Sequence, residues 1–323
     1  MKLRVCLIDH KTNLSGYTRS LPEALTRRFD VTPVFVDDGW PRGASAIPDY
    51  QSYDAFIWHV KFRYLMDQAP FDWGDYEGAR IMFDTDAFLN FFGRRYRGRY
   101  PATIRDNQFH ALVCTGRAVR DRFLATGINA HWIPKGYDGE QFSDLGRPDR
   151  EGIVYFGRRW LSRQAMLAHL RRRHVPVHEL YCPFNELNDR LNGFLGCLIC
   201  NMNVRGERRI PTRVLRVVPK HWLRPGPGPE PMIKNFEAAA SGCAPICDDF
   251  AELADLGFRD GVTMVSYNSF PELTDKVRHY LDAPEALREI GRRAAEVART
   301  RHTWDHRAEE LEKLIRSGAY LPS

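Results

Sequence analysis

Short apolar runs separated by helical or polar text set the rhythm of the first half of the chain. Residues 3–8, 31–36, 55–60, 80–83 and 111–114 read as strands, and residues 21–29 read as a helix between the first two. Alternation of this kind predicts a parallel α/β sheet with short crossovers. A second strand-led unit opens at residues 152–157, after a polar stretch holding Asp144, Gly146, Pro148 and Asp149, so a boundary near residue 148 is expected. Residues 225–231, Pro-Gly-Pro-Gly-Pro-Glu-Pro, lack the donors and the order that a helix or central strand requires and must form a loop. An alanine-rich helix over residues 232–241 follows, with Gly242 as its cap, and then a short buried strand over residues 244–247. The tail over residues 271–317 is helical by pattern: Ser269 and Glu272 have capping-box spacing, and Leu273, Val277, Tyr280 and Leu281 recur behind them. There is no internal repeat.

Composition narrows the class. The 323 residues are 43% hydrophobic, 12% aromatic and 27% charged, which excludes a disordered or collagen-like chain. The length suits about two domains. No apolar run approaches the roughly eighteen residues of a spanning helix, and the opening apolar run reaches Asp9 too soon for a secretion signal, so a cytoplasmic location is expected. Seven cysteines, at 6, 114, 182, 197, 200, 243 and 247, suit reduced buried thiols better than a disulfide framework. Cys197 with Cys200, and Cys243 with Cys247, lack the turn residues and histidines of a zinc site, so no metal is expected there. A formal charge of +6 permits an anionic partner without demanding one.

Three groups of residues carry candidate chemistry. In residues 234–246, Lys-Asn-Phe-Glu-Ala-Ala-Ala-Ser-Gly-Cys-Ala-Pro-Ile, a loop delivers Lys234 and Glu237 to the first turn of a helix. Free backbone donors, the positive dipole end and an ammonium suit phosphate there, and a carboxylate can take two ribose hydroxyls. The alternative is an exposed i, i+3 ion pair on an amphipathic helix. Asp84-Thr85-Asp86 at a strand end is a literal Asp-x-Asp triplet, able to chelate a divalent ion or to orient and deprotonate a hydroxyl, and His59 ends another strand. Arg94, Arg95, Arg97 and Arg99 interleave with aromatics, while Arg205, Arg208 and Arg209 crowd the approach to the proline-glycine loop. Such clusters suit a polyanionic acceptor or form a solvated basic surface.

Residues 234–246 resemble the donor-site signature of GT-B fold nucleotide-sugar glycosyltransferases, of the glycosyl transferases group 1-like family. Ser15-Gly16-Tyr17, the stretch 133–138 with Phe142, the strand 153–158, and the tail with Gly261-Val262, Pro271-Glu272-Leu273 and His302-Thr303-Trp304 resemble the same family in the same order. The resemblance implies two Rossmann-like domains facing a cleft: an acceptor-side domain over 1–147, a donor domain over 148–300, and a helical tail over 301–323 packing back on the first. By matching position Glu237 binds ribose, Lys234 and Arg158 neutralise the diphosphate, Arg163 is a second phosphate-binding residue or a solvated helix face, and Gly16 lets the backbone approach the donor phosphates. Asp84, Asp86 and His59 become acceptor-side catalytic candidates. Glu230 is another, displaced by one residue from the family's first glutamate, whose place Pro229 takes; retention at the anomeric carbon is the expected outcome. The implied activity moves a hexosyl or pentosyl group from a nucleotide-sugar co-substrate to a hydroxyl of a glycan, lipid-linked or nucleic-acid acceptor, without cofactor or metal. Transfer to a hydroxylated base in DNA, and a catalytically silent sugar-nucleotide or polyanion-binding module, are the alternatives.

Overall fold

The computed structural model of the chain describes residues 1–87, 98–158, 161–201 and 230–320. It forms two compact units, Met1–Gly136 with Trp304–Ser323, and Tyr137–Thr303.

The first unit is built on six parallel strands, β1 (Arg4–Asp9), β2 (Asp30–Phe35), β3 (Ala55–Trp58), β4 (Ala79–Asp84), β5 (Ala111–Cys114) and β6 (Ala130–Trp132), in the order β2-β1-β3-β4-β5-β6. The central strands β3 and β5 are buried at every position, which is why they read as unbroken apolar runs rather than alternating ones. Pro33 sits in β2, at the sheet edge, where a missing backbone donor costs no ladder bond. One face is filled by an aromatic cluster in which Phe56 and Trp58 meet Phe71, Trp73 and Tyr76. The helix Ser20–Arg28 carries Arg27, which makes a bidentate pair with Asp305 at 2.8 and 3.0 Å, and Arg28, which pairs with Glu312; both acids lie on the helix Trp304–Arg316.

The second unit holds five parallel strands, β7 (Ile153–Phe156), β8 (His178–Leu180), β9 (Gly196–Ile199), β10 (Ala244–Asp248) and β11 (Val265–Tyr267), in the order β11-β10-β9-β7-β8. Its helices include Leu161–Arg172, Ile233–Ala240, Phe270–Asp282 and Pro284–Arg301. The predicted cap at Ser269 forms: its hydroxyl accepts from the Glu272 amide at 3.3 Å, while Glu272 Oε2 accepts from the Asn268 amide at 2.8 Å.

The unit boundaries differ from those expected at 147/148 and 300/301, and hydrogen bonding explains the first. Gln141 Nε2 donates to the carbonyls of Phe184 and Asn185 at 3.3 and 3.1 Å, and the amides of Ser143 and Leu145 donate to Asn188 and Asn192 at 3.2 and 2.7 Å. The polar stretch that looked like a linker is therefore fastened to the second unit. In both sheets the chain order reverses beside the first strand, between β1 and β3 and between β7 and β9. Parallel sheets bind ligands beyond the carboxyl ends of strands at such points. Among the described residues no helix is long and apolar enough to cross a membrane.

Candidate functional site

At the reversal point of the second sheet, the helix Ile233–Ala240 starts after the extended residue Met232 and is buried from Lys234 to Ala240. Burial removes the reading of Lys234 and Glu237 as an exposed ion pair. The Lys234 ammonium donates to the Phe156 carbonyl at the end of β7 and lies 5.2 Å and 4.7 Å from the ring centroids of Tyr155 and Phe156. Gly157 makes that position available: its φ of +91° suits only glycine, and a Cβ there would overlap the Lys234 ammonium nitrogen and stand 2.6 Å from Cε. In the sequence Gly157 reads only as the glycine that ends a strand, and its part in seating Lys234 is visible only in the structure.

Arg163 is buried in the helix Leu161–Arg172, so the solvated-face reading does not hold for it. Its Nε donates to the Cys200 carbonyl at 3.3 Å and Nη1 to the Arg158 carbonyl at 2.9 Å, while Nη2 is buried with no hydrogen-bond partner among the described residues. Asn201 Nδ2 and Asn235 Oδ1 are likewise buried without partners among the described residues. A buried donor left unmade is costly, and an anion would satisfy donors such as these. Burial drives the Lys234 pKa down to about 7, with Arg163 pushing the same way and Glu237 opposing. Burial drives the Glu237 pKa up to about 7, with Lys234 opposing and Asp138 reinforcing.

Arg158 is exposed and, with Phe156, Gly157, Tyr181 and Phe184, lines a cavity of about 990 Å³ beyond the ends of β7 and β8. Glu230 is buried. Arg205, Arg208 and Arg209 lie outside the described residues.

In the first unit, Gly16 opens a short 3-10 turn with a φ of +59°, and no atom approaches within 4 Å of a Cβ built there. Backbone conformation, not crowding within the protein, requires that glycine. Asp84, at the end of β4, is buried; its Oδ2 accepts from the Tyr100 phenol at 2.5 Å and its Oδ1 from the Asp86 amide at 2.8 Å. Asp86 itself is exposed. His59 is buried just beyond β3, and its Nδ1 lies 3.2 Å from Oδ2 of Asp9, a residue that sequence reasoning did not place in the site. Arg99 is exposed, with Nη2 3.5 Å from the Met66 carbonyl, and Arg94, Arg95 and Arg97 lie outside the described residues. The structure thus groups Lys234, Glu237, Arg163 and Arg158 in one unit, and His59, Asp84 and Asp86 in the other.

Residues 214–313 match the family described as glycosyl transferase-like. No curated protein matches the chain significantly. Among solved structures, sucrose-phosphate synthase from Thermosynechococcus elongatus is similar with a TM-score of 0.61 at 12% identity, covering 98% of this chain and 99% of that one. Anabaena HepE, solved in complex with UDP and glucose, gives a TM-score of 0.61 at 11% identity over 98% of this chain and 100% of that one. AviGT4, a glycosyltransferase involved in avilamycin A biosynthesis, gives 0.52 at 14% identity over 98% of both chains. The chain thus has the GT-B fold of these solved structures, and the glycosyl transferase-like match rests on residues 214–313.

Proposed function

We propose that the protein is a glycosyltransferase that takes a sugar from a nucleoside diphosphate donor and moves it to a hydroxyl acceptor. The observation that carries this reading is the set of buried groups beyond β7 and β9: the Lys234 ammonium, the unpartnered Nη2 of Arg163, and Glu237 on the next turn of the same helix. In this reading Lys234 and Arg163, with the exposed Arg158, neutralise the diphosphate as it departs with the electron pair of the broken glycosidic bond. Charge stabilisation of that leaving group would be the largest contribution to rate. Glu237 accepts hydrogen bonds from the ribose, for which a carboxylate with two oxygens is suited. Protein cations rather than a metal ion do the neutralising.

HepE binds UDP and UDP-glucose, which makes these the first compounds to try. Calorimetry against a panel of nucleoside diphosphates and their sugars, with and without chelator, tests the reading. Saturable binding of one nucleotide that survives chelation supports it and names the base. Binding of no nucleotide refutes it.

A further inference from the structure

The cavity beyond β7 and β8 is lined by residues of the second unit alone and contains a carboxylate that diphosphate binding does not use. The helix Leu161–Arg172 contributes Gln164, Leu167, Ala168 and Arg171 to it, the spacing of one helix face. Phe156 and Leu167, both buried, give it an apolar lining, and the exposed Tyr181 adds an aromatic ring. Glu179 lines the same cavity from β8, where it lies opposite Tyr155 of β7, two residues before Gly157. Its Oε1 accepts from Arg171 Nη2 at 2.8 Å, and the two side chains differ in exposure, 22% for the acid and 70% for the guanidinium. Glu179 is thus the inner member of the pair and Arg171 the outer one.

A carboxylate in a cavity for a polyanion repels its ligand unless it faces a hydrogen-bond donor. A carboxylate offers about four lone-pair sites and a guanidinium five N–H groups, and the bond between these two side chains uses one of each. Side by side they present an acceptor next to a donor. That is the complement of a nucleobase edge in which a ring N–H stands beside a carbonyl, as in uracil and guanine. Cytosine and adenine carry the reverse, a ring lone pair beside an amine.

We infer that Glu179 and Arg171 select the base of the donor nucleotide, admitting bases with a ring N–H beside a carbonyl and rejecting cytosine and adenine. The inference rests on the donor-site reading above. With the diphosphate at Gly157 and Arg158, the sugar-linked side of the base points toward β7. The ring nitrogen then meets the inner carboxylate, and the exocyclic group, farther from the sugar, meets the outer guanidinium. Uracil and guanine offer N–H and carbonyl in that order. Cytosine or adenine would set a lone pair against the carboxylate and an amine against the guanidinium, and a mismatch at both contacts discriminates as strongly as the correct bonds attract. Tyr181 supplies a stacking surface that is indifferent to the hydrogen-bonding edge.

The test is calorimetry on the full chain with UDP, CDP, GDP and ADP. UDP and CDP are alike in size and differ only at the edge in question. UDP is expected to bind at least about tenfold more tightly than CDP, and GDP at least about tenfold more tightly than ADP. The amide of Glu179→Gln can present either a donor or an acceptor, so this variant should bring UDP and CDP to within about twofold of each other. Tyr181→Ala should weaken both by about tenfold and leave their ratio unchanged. Equal affinities for UDP and CDP in the unsubstituted protein overturn the inference. So does a ratio that Glu179→Gln leaves unmoved, the result expected if Glu179 only holds Arg171 in place. Should Glu179→Gln fail to fold, the preference of the unsubstituted protein decides alone. Absence of binding by all four nucleotides refutes the donor-site reading and the base selection with it, whereas binding without preference refutes the base selection and leaves the donor site standing.

Discussion

Gly157→Ala isolates the contact on which the donor-site geometry depends. The substitution adds one methyl group, yet it would place that carbon over the Lys234 ammonium nitrogen and 2.6 Å from Cε, at a φ of +91°. Holding an L-residue at such a φ costs about 1–3 kcal/mol. Expulsion of the lysine also removes its bond to the Phe156 carbonyl, for which a charged donor is worth about 1.5–3 kcal/mol, partly offset as the ammonium regains water. The net loss of stability is expected near 2 kcal/mol, or roughly 4–8 °C in melting temperature for a unit of this size. Nucleotide affinity should fall at least about tenfold, equivalent to about 1.4 kcal/mol, because the cation no longer stands where the diphosphate needs it. Calorimetry with UDP on Gly157→Ala, Lys234→Ala and the double variant separates this from a general loss of structure. If the glycine acts by seating the lysine, the double variant binds no more weakly than Lys234→Ala alone. Additive losses of affinity, or full affinity in Gly157→Ala, would show that the reasoning is wrong.

Other predictions follow from the same structure. Glu237→Ala should weaken UDP binding by about 1–3 kcal/mol and weaken binding of the 2′-deoxy nucleotide by less, as competition binding would show; equal losses for the two would remove the ribose assignment. A diphosphate favours the charged form of Lys234, whose pKa in the free protein is about 7, so binding above neutral pH takes up a proton. The binding enthalpy should therefore vary with the ionisation enthalpy of the buffer, and Lys234→Met should abolish that variation. The free protein should also show a shallow stability minimum near neutral pH. Glu237, raised from 4.5 to about 7, contributes stability at low pH that is lost as pH rises through that window, and Lys234, lowered from 10.5 to about 7, contributes stability only as pH rises above it. Denaturant titrations across pH should find the minimum flattened in Glu237→Gln and in Lys234→Met. By contrast, Asp305→Ala should cost at most about 1 kcal/mol, since both partners in its bidentate pair with Arg27 are largely exposed; a larger loss in chemical denaturation would mean that this pair anchors the last helix.

Some of the molecule was legible from local pattern because local physics produced it. β3 and β5 are buried on both faces, and that is why they appear as unbroken apolar text. The Ser269 cap and the helix Ile233–Ala240 were readable because capping and helix propensity act over a few residues. The stretch 234–246 also carried the resemblance that pointed to the GT-B fold. Short strands such as β6 and β8, three residues each, left no comparable run to read.

The functional pairings belong to the other category. Nothing in the neighbourhood of Gly157 announces that its missing Cβ leaves room for the Lys234 side chain, and Arg163 in isolation is indistinguishable from a solvated helix residue until packing buries it. Asp9 in the sequence is only the acid that ends an apolar run; its partnership with His59 arises because β1 and β3 lie side by side where the sheet reverses. The stretch around Asp144 reads as a linker because it is polar, yet it is fastened by side chains of Asn188 and Asn192 far along the chain. Sequence by itself determined the elements and the residue types available, since propensity and burial periodicity are local. Tertiary structure alone decided which polar groups are buried together, because their solvation and hydrogen bonding depend on neighbours that only the folded sheet brings within reach.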